Sequence, residues 1–293
     1  MKTLAAASLL RVVTRARPQK RFQAAFRRGK QRLYGAHVNV PRHQKRPYDT
    51  GALLWWSFDP RAQKVARATA QLLKEAKVNF AVLGVKERCT GDPARRIGDE
   101  FLYQQLAQAN VETLTRHKAK KIVTPCPHCY NTLKNEYPQF GGHYQVQHHS
   151  QLLAELIGAG RLSNGISTGE PVTLHDPCYL ARVNREVDAT RTVVGAATDT
   201  QFREMPRHGK KTFCCGAGGG RMWFDESPAQ RVSCLRAQEA LGTGARTLAT
   251  ACPFCLNMMT DGMAGTQGGE NVKVLDIAEL LLSRRTPSSR GVS

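Results

Sequence analysis

Two homologous α/β lobes, each a short, mostly parallel sheet flanked by helices, are the fold class that this 293-residue sequence predicts. Three observations point there. Short apolar runs of strand character alternate with amphipathic helical stretches. The order of these elements starts again after residue 170. Landmarks also recur at a spacing of 126 residues: Cys89 answers to Cys215, Cys126 to Cys252 and Cys129 to Cys255, accompanied by Arg95/Arg221, Thr124/Thr250, Pro127/Pro253 and Asn131/Asn257.

In chain order, Ala52-Leu53-Leu54-Trp55-Trp56 reads as a strand closed by Ser57-Phe58-Asp59-Pro60, with Asp59 as N-cap and Pro60 in the first turn of a helix. That helix puts Val65, Ala68, Leu72 and Ala76 on one face. A strand over Val78–Leu83 leads to Cys89, and the next helix is expected to turn Ile97, Phe101 and Leu106 inward. A strand at Lys121–Val123 delivers Cys126-Pro127-His128-Cys129. Another helix follows, then a strand near Tyr144–Val146 and a helix containing Leu152, Leu153, Leu156 and Ile157. The glycines around 159–170 mark a linker. The second round runs from a strand at Val172–Leu174 through His175-Asp176-Pro177-Cys178, the run Cys214-Cys215-Gly216-Ala217-Gly218-Gly219-Gly220, and a helix holding Cys234 and Leu235. Leu248-Ala249 then delivers Cys252-Pro253-Phe254-Cys255, before a helix, a strand at Val272–Leu275 and a helix over Ile277–Leu282. Ala154-Glu155-Leu156 is expected to match Ala278-Glu279-Leu280. The expected division is a basic N-terminal extension over 1–50, irregular or partly helical, lobes over 51–158 and 171–283, and a disordered tail over 284–293.

The formal charge is +20 and apolar residues make up 41% of the chain, enough for a globular core. Residues 1–48 carry thirteen Lys or Arg and no acid. Such charge suits nucleic acid, but the tail has few aromatics and the body lacks a nucleic-acid motif, so that partner is set aside. The first 32 residues are Arg-rich, acid-free and loosely amphipathic, matching a mitochondrial transit peptide and equally a segment lying on an anionic membrane surface or a partner subunit. A cytoplasmic protein, peripheral on the inner membrane face, is one expected localisation, and a mitochondrial one the alternative. Nine cysteines with two CxxC pairs and no signal peptide point to a reducing compartment, where thiols bind metal.

Cys178, Cys214, Cys215, Cys252 and Cys255 fall in three groups, with 35 and 36 residues between them. Adjacent cysteines cannot easily both serve one small tetrahedral ion, whereas five thiolates from three loops suit an iron–sulfur cluster. Helix N-termini at the carboxyl edge of a parallel sheet would add N–H donors, and the glycines would let the backbone approach. Cys89, Cys126 and Cys129 leave the first copy three thiolates, enough for a second cluster, [3Fe–4S] or [4Fe–4S] with a non-cysteine ligand or open iron, or for none. Cys234 and the pair His148/His149 read as structural, and His128 as a surface or supporting residue. Asp92-Pro93 and Asp225-Glu226 read as helix starts and Trp223 as packing. His175 and Asp176 are expected to support the Cys178 loop or, with Arg182, to form a substrate or proton path.

At these residues the chain resembles the cysteine-rich CCG family, whose members include a cluster-binding component of heterodisulfide reductase and the iron–sulfur subunit of glycolate oxidase. The family pattern is Cys, a gap of thirty-odd residues, Cys-Cys-Gly, a similar gap, then CxxC, and the second half matches it throughout. ERCTGDPARR, CPHCYNTLKNEYP, HDPCYLAR, CCGAGGGRMW and CPFCLNMMTDG are similar to segments of membrane-associated iron–sulfur oxidoreductases that accept electrons from electron-transfer flavoprotein. The resemblance covers about residues 52–282. It implies a [4Fe–4S] cluster on the second lobe, in the cubane or the noncubane form. It also implies a subunit that passes electrons from a flavoprotein or ferredoxin-type donor to a quinone or disulfide acceptor. The first half departs from the pattern: Arg88 stands where the repeat has Cys214, and no cysteine lies near residue 52 to match Cys178. This loss motivates an alternative, a structural or assembly protein that keeps the fold and docks through its basic tail.

Overall fold

In the computed structural model the described residues are 60–163, 170–198, 201–224, 226–227 and 230–284, with the backbone alone at 52–54. The basic extension, the Asp59 cap, the tail, most of the linker and Asp225 lie outside them. The first sheet comprises β1 (Ala52–Leu54), β2 (Phe80–Ala81), β3 (Lys121–Thr124) and β4 (Gln145–His148) in the order β2-β1-β3-β4. The second comprises β5 (Val172–His175), β6 (Phe202–Arg203), β7 (Thr247–Thr250) and β8 (Lys273–Asp276) in the order β6-β5-β7-β8. Every pairing is parallel. The chain thus winds outward from the first strand of each lobe, returns, and continues on the other side. Carboxyl ends of the two central strands flank the reversal point, where open parallel sheets present ligand crevices.

The first lobe's helices are α1 (Pro60–Glu75), α2 (Asp92–Arg96), α3 (Glu100–Arg116), α4 (Pro127–Asn131) and α5 (His149–Gly158). In the second they are α6 (Asp188–Thr198), α7 (Val232–Leu241), α8 (Pro253–Ala264) and α9 (Ile277–Ser283). Strand pairing equates Ala52 with Val172, Phe80 with Phe202, Lys121 with Thr247 and Gln145 with Lys273. The spacing between copies therefore grows along the chain instead of holding at one value, because connecting loops differ in length. Helices α5 and α9 each open with a capping box, His148/Gln151 and Asp276/Glu279. Gln151 is therefore the counterpart of Glu279, and the expected match of Ala154-Glu155-Leu156 with Ala278-Glu279-Leu280 is out of register.

Sequence periodicity assigned the wrong face to α3. Phe101 is 74% and Ile97 41% exposed, Leu106 is half-buried, and the inward stripe is Tyr103, Ala107, Asn110 and Leu114. A tyrosine and an asparagine on that stripe make it look polar. In the interior the Asn110 amide nitrogen is satisfied, its Nδ2 donating to Cys89 O at 2.9 Å and to Tyr137 Oη at 2.9 Å.

One apolar core serves both lobes. Leu72 and Leu73 of α1, Leu153 and Leu156 of α5, Val193 and Val194 of α6, and Ile277, Leu280 and Leu281 of α9 form one buried cluster that also takes in Val123, Leu174 and Ala249 of the strands. Each lobe's first helix packs on the other lobe's last, α1 on α9 and α6 on α5. Polar links cross the same junction. Arg61 makes a two-pronged contact with Glu279 at 2.6 Å, and buried His149 Nε2 meets Asp276 Oδ1 at 3.0 Å. Among the described residues no helix is long and apolar enough to cross a membrane.

Helices α7 and α8 approach closely at Gly262, where a Cβ would stand 2.5 Å from Ser233 O. Gly262→Ala must therefore push apart the helix that precedes the second CxxC and the helix that begins with it. We expect about 1–3 kcal/mol of destabilisation, read as a lower urea midpoint with unchanged slope.

Candidate metal centre

The five cysteines of the second lobe converge at the carboxyl edge of its sheet. Cys178 follows β5 and precedes a π-turn over Tyr179–Val183. Cys214 and Cys215 sit between a 3-10 turn at Gly209–Lys211 and another at Gly218–Trp223. Cys252 follows β7 in extended conformation as the N-cap of α8, and Pro253 at the first helical position starts the turn that carries Cys255. Cys178 and Cys215 hydrogen-bond Cys214, Cys215 also meets Cys255, and Cys255 meets Cys252. Gly216 N–H donates to Cys214 Sγ at 3.2 Å. Those hydrogen bonds hold Cys214 well below the ordinary thiol range. Their other ends, Cys178 and Cys215, are pushed up, as is Cys255 by its bonds to Cys215 and Cys252, with burial adding to each shift.

The loop beneath is tied down by buried polar groups. Asp176 accepts Arg191 Nη1 at 2.9 Å and Nη2 at 3.0 Å, together with Gly209 N–H at 2.6 Å. Thr212 Oγ1 donates to Asp176 O at 3.0 Å, and Arg182 reaches Thr212 O. Asp176 thus anchors the Cys178 loop to the segment that leads into Cys214, with Arg191 as its ionic partner. His175 is fully buried. Burial and the adjacent Arg236 cation push its imidazole down to about 3, so the ring is neutral. Sequence reasoning passed over Arg191 and Arg236, both of which resemble solvated helix residues when read by periodicity.

The first lobe repeats this scaffold with substitutions. Gly91 N–H donates to Cys89 Sγ at 3.4 Å, as Gly216 N–H does to Cys214, and both glycines are left-handed, at φ 88° and 91°. Cys89 therefore corresponds to Cys214, not to Cys215 as the 126-residue spacing suggests, and Arg88 does not occupy a ligand position. The counterpart of Cys215 is Thr90, which is fully buried and donates from Oγ1 to Cys129 Sγ at 3.5 Å, mirroring Cys215 against Cys255. Sequence reasoning missed Thr90; reading CTG against CCG with a one-residue shift would have found it. By strand register the partner of Cys178 is position 58, a phenylalanine outside the described residues. Cys89, Cys126 and Cys129 are close neighbours. Cys129 N–H lies 3.5 Å from Cys126 Sγ, and the two thiols also hydrogen-bond each other, which lowers Cys126 and raises Cys129. Burial pushes Cys89 up to about 11.

His128, expected at the surface or in support, is buried between the lobes. Its Nδ1 meets Asp92 Oδ2 at 2.8 Å, its ring stacks on Tyr179 with centroids 4.0 Å apart, and it meets Phe254 edge-on at 4.9 Å. Burial disfavours the imidazolium, but the Asp92 hydrogen bond and charge outweigh it and raise His128 to about 9. Burial likewise opposes the Asp92 carboxylate, and bonds from His128 and Arg96 outweigh that too, lowering it. Asp92, expected only as a helix start, is the junction's central acceptor. These groups face Gly218–Gly220, Trp223 and Phe254 across a shallow cleft. Ile97 reaches the same loop, where a Cβ on Gly220 would stand 2.6 Å from its Cγ2. At Gly220 the glycine thus serves lobe contact and a left-handed turn at φ 77°. Cys234 is buried within α7, and His148 caps α5.

A profile of the cysteine-rich CCG domain matches residues 57–134 and again 172–260. The chain is 40% identical over 251 residues to a probable iron–sulfur-binding oxidoreductase, FadF, of Bacillus subtilis, covering 84% of this chain and 36% of that protein. It is 42% identical over 232 residues to an EtfAB:quinone oxidoreductase of Syntrophomonas wolfei, covering 77% and 32%. It is 34% identical over 223 residues to one subunit of the dihydromethanophenazine:CoB–CoM heterodisulfide reductase of Methanosarcina barkeri, covering 74% and 54%. The chain thus spans about a third to a half of the relatives it matches. These relatives are from two bacteria and an archaeon and lend no support to mitochondrial import.

The His128–Asp92 pair carries a pH signature. Because His128 is raised from 6.5 to about 9, its contribution to stability is complete below 6.5 and fades as pH rises through 9. Asp92, shifted downward, loses its contribution only in acid. His128→Gln should therefore lower stability by about 1.5–3 kcal/mol at pH 6, by progressively less as pH rises from 6.5 to 9, and by little above pH 9. Urea unfolding of both proteins across that range checks this.

Proposed function

This chain belongs to the cysteine-rich CCG domain family, and we propose that it is the iron–sulfur electron-transfer part of an oxidoreductase complex. The observation that carries the proposal is the continuous thiol chain Cys178–Cys214–Cys215–Cys255–Cys252, drawn from three loops of one sheet edge. The donor set fits a sulfur-ligated iron cluster. Five thiols are more than one tetrahedral ion uses, Cys215, Cys252 and Cys255 are buried, and Gly216 N–H is already aimed at sulfur. When bound, a [4Fe–4S] cluster, cubane or noncubane, supplies one-electron storage and transfer.

The chain's own residues would do the rest. The five thiolates hold the group, Asp176 and Arg191 fix the loop that carries Cys178, and the shared core keeps water from the inner side. On the outer side, the cleft between Asp92, Arg96 and His128 and the glycine loop that follows Cys215 is proposed as the face that a partner or acceptor meets. A flavoprotein or ferredoxin-type donor and a quinone or disulfide acceptor are the partners proposed, in keeping with the relatives' names. The first-lobe trio Cys89, Cys126 and Cys129 is proposed as a second, three-thiolate site. The N-terminal extension, with its unopposed positive charge, is proposed to dock on an anionic membrane face or partner.

Anaerobic purification with iron and sulfide counting and EPR tests the reading. About four irons and four sulfides per second-lobe cluster are expected. Cys215→Ser should abolish the main signal, while Cys89→Ser should remove only a weaker second one. Zinc or no metal in place of iron would overturn electron transfer and favour the assembly role.

A further inference from the structure

His175 is fully buried, and its Nε2 has no hydrogen-bond partner. Isolated buried imidazole N–H groups are costly, so an orphan of this kind points to a group that completes it. One ring nitrogen of His175 lies with Cys215 Sγ and Cys255 Sγ in a group whose members are within 4.8 Å of one another. Two roles are open to such a nitrogen: it can bind metal through a lone pair, or donate a proton to sulfur.

Arg236 decides between them. It too is fully buried, and its Nε–H donates to His175 Nδ1 at 3.0 Å. A guanidinium has donors and no acceptor, so Nδ1 must present its lone pair, and in the neutral ring the proton then sits on Nε2. The arginine cannot readily turn away. Its Nη1 donates to Arg207 O at 3.0 Å and to Glu239 Oε2 at 2.7 Å, and its Nη2 reaches Thr212 Oγ1 at 3.4 Å. Thr250 Oγ1 donates to His175 O at 3.1 Å and so holds the backbone from the adjacent strand.

We propose that His175 is not a metal ligand but a hydrogen-bond donor through Nε2 to sulfur of the second-lobe site, locked in that tautomer by Arg236, and that it raises the site's reduction potential. This rests on the cluster reading above. A donor to cluster sulfur stabilises the reduced state, which carries more negative charge, over the oxidised one. His175 is thus a positioning and tuning residue, and Arg236 acts through it.

The test uses anaerobically prepared, cluster-loaded full chain. His175→Phe keeps a planar ring and removes the N–H. It should lower the midpoint potential by at least a tenfold change in the one-electron equilibrium, about 59 mV. His175→Gln, which can still donate from its amide, should recover most of that loss with iron and sulfide content unchanged. Pulsed EPR of wild-type protein labelled with ¹⁵N-histidine should show one exchangeable proton and a nitrogen not bonded to iron. This last measurement decides the matter if the phenylalanine variant does not hold its cluster. An iron-bonded histidine nitrogen, or a loaded His175→Phe variant with an unmoved potential, overturns the inference alone. Wild-type chain lacking iron and sulfide overturns the reading beneath it.

Discussion

Five sulfur atoms crowded at one sheet edge cannot all carry charge without a cation among them. Water is largely excluded there, and each buried thiolate costs more than it would at a surface. The hydrogen bonds among the thiols set them apart, holding Cys214 well below the ordinary thiol range and pushing Cys178, Cys215 and Cys255 above it. Much of the second lobe answers to this one concentration of sulfur. The left-handed turn at Gly216 aims an N–H at Cys214, Pro253 starts a helix under Cys255, and the Asp176–Arg191 pair pins the strand end that presents Cys178. Loading iron must expel the remaining protons, so affinity at this site is bound to pH as well as to geometry.

That edge could not stand on one four-stranded sheet alone. Its inner face needs covering, and the cover is shared: α1 on α9 and α5 on α6 place the first and last helices of the two lobes in one buried layer. Parting the lobes would expose Leu72 and Leu153 on one and Val193 and Leu281 on the other. The same exchange brings the carboxyl edges into contact, so that His128 of one lobe stacks on Tyr179 of the other. The first lobe is therefore a wall of the second lobe's site, whatever its own three cysteines hold.

Chemistry tied to local spacing was legible in the sequence. CPxC twice, CCG once and Asp-Pro-Cys once identified the thiols, and the alternation of short apolar runs with helical faces identified parallel α/β lobes. Features that depend on long-range partners were not. Asn110 and Tyr103 make an inward stripe look like an outward one, because the groups they hydrogen-bond, Cys89 O, Tyr137 and Arg95, take up their places only on folding. Arg236 lies three residues before Glu239 and reads as an exposed ion pair, yet both the pair and His175 sit under the cysteine loops. His128 looked peripheral because its anion, Asp92, is 36 positions away. A uniform 126-residue offset also hid the growth of the spacing along the chain, and with it the identity of Thr90.

Thr90 gives the clearest physical account of why the two lobes differ. At Cys215 a thiol lies between Cys214 and Cys255 and relays the hydrogen-bond chain from one to the other. At Thr90 the side chain is similar in size and stays as deeply buried, and its hydroxyl still reaches Cys129. The scaffold is therefore kept while one soft ligand is exchanged for a hard, neutral oxygen with little affinity for iron–sulfur chemistry. With phenylalanine at position 58 as well, the first lobe offers three thiolates where the second offers five. Fewer thiolates mean less buried charge to neutralise, and next to the exchanged position the first lobe has instead built a compact ionic junction from Asp92, Arg96, His128 and Glu136. The first lobe thus lacks ligands at two positions, and beside one of them, Thr90, stands the polar junction centred on Asp92.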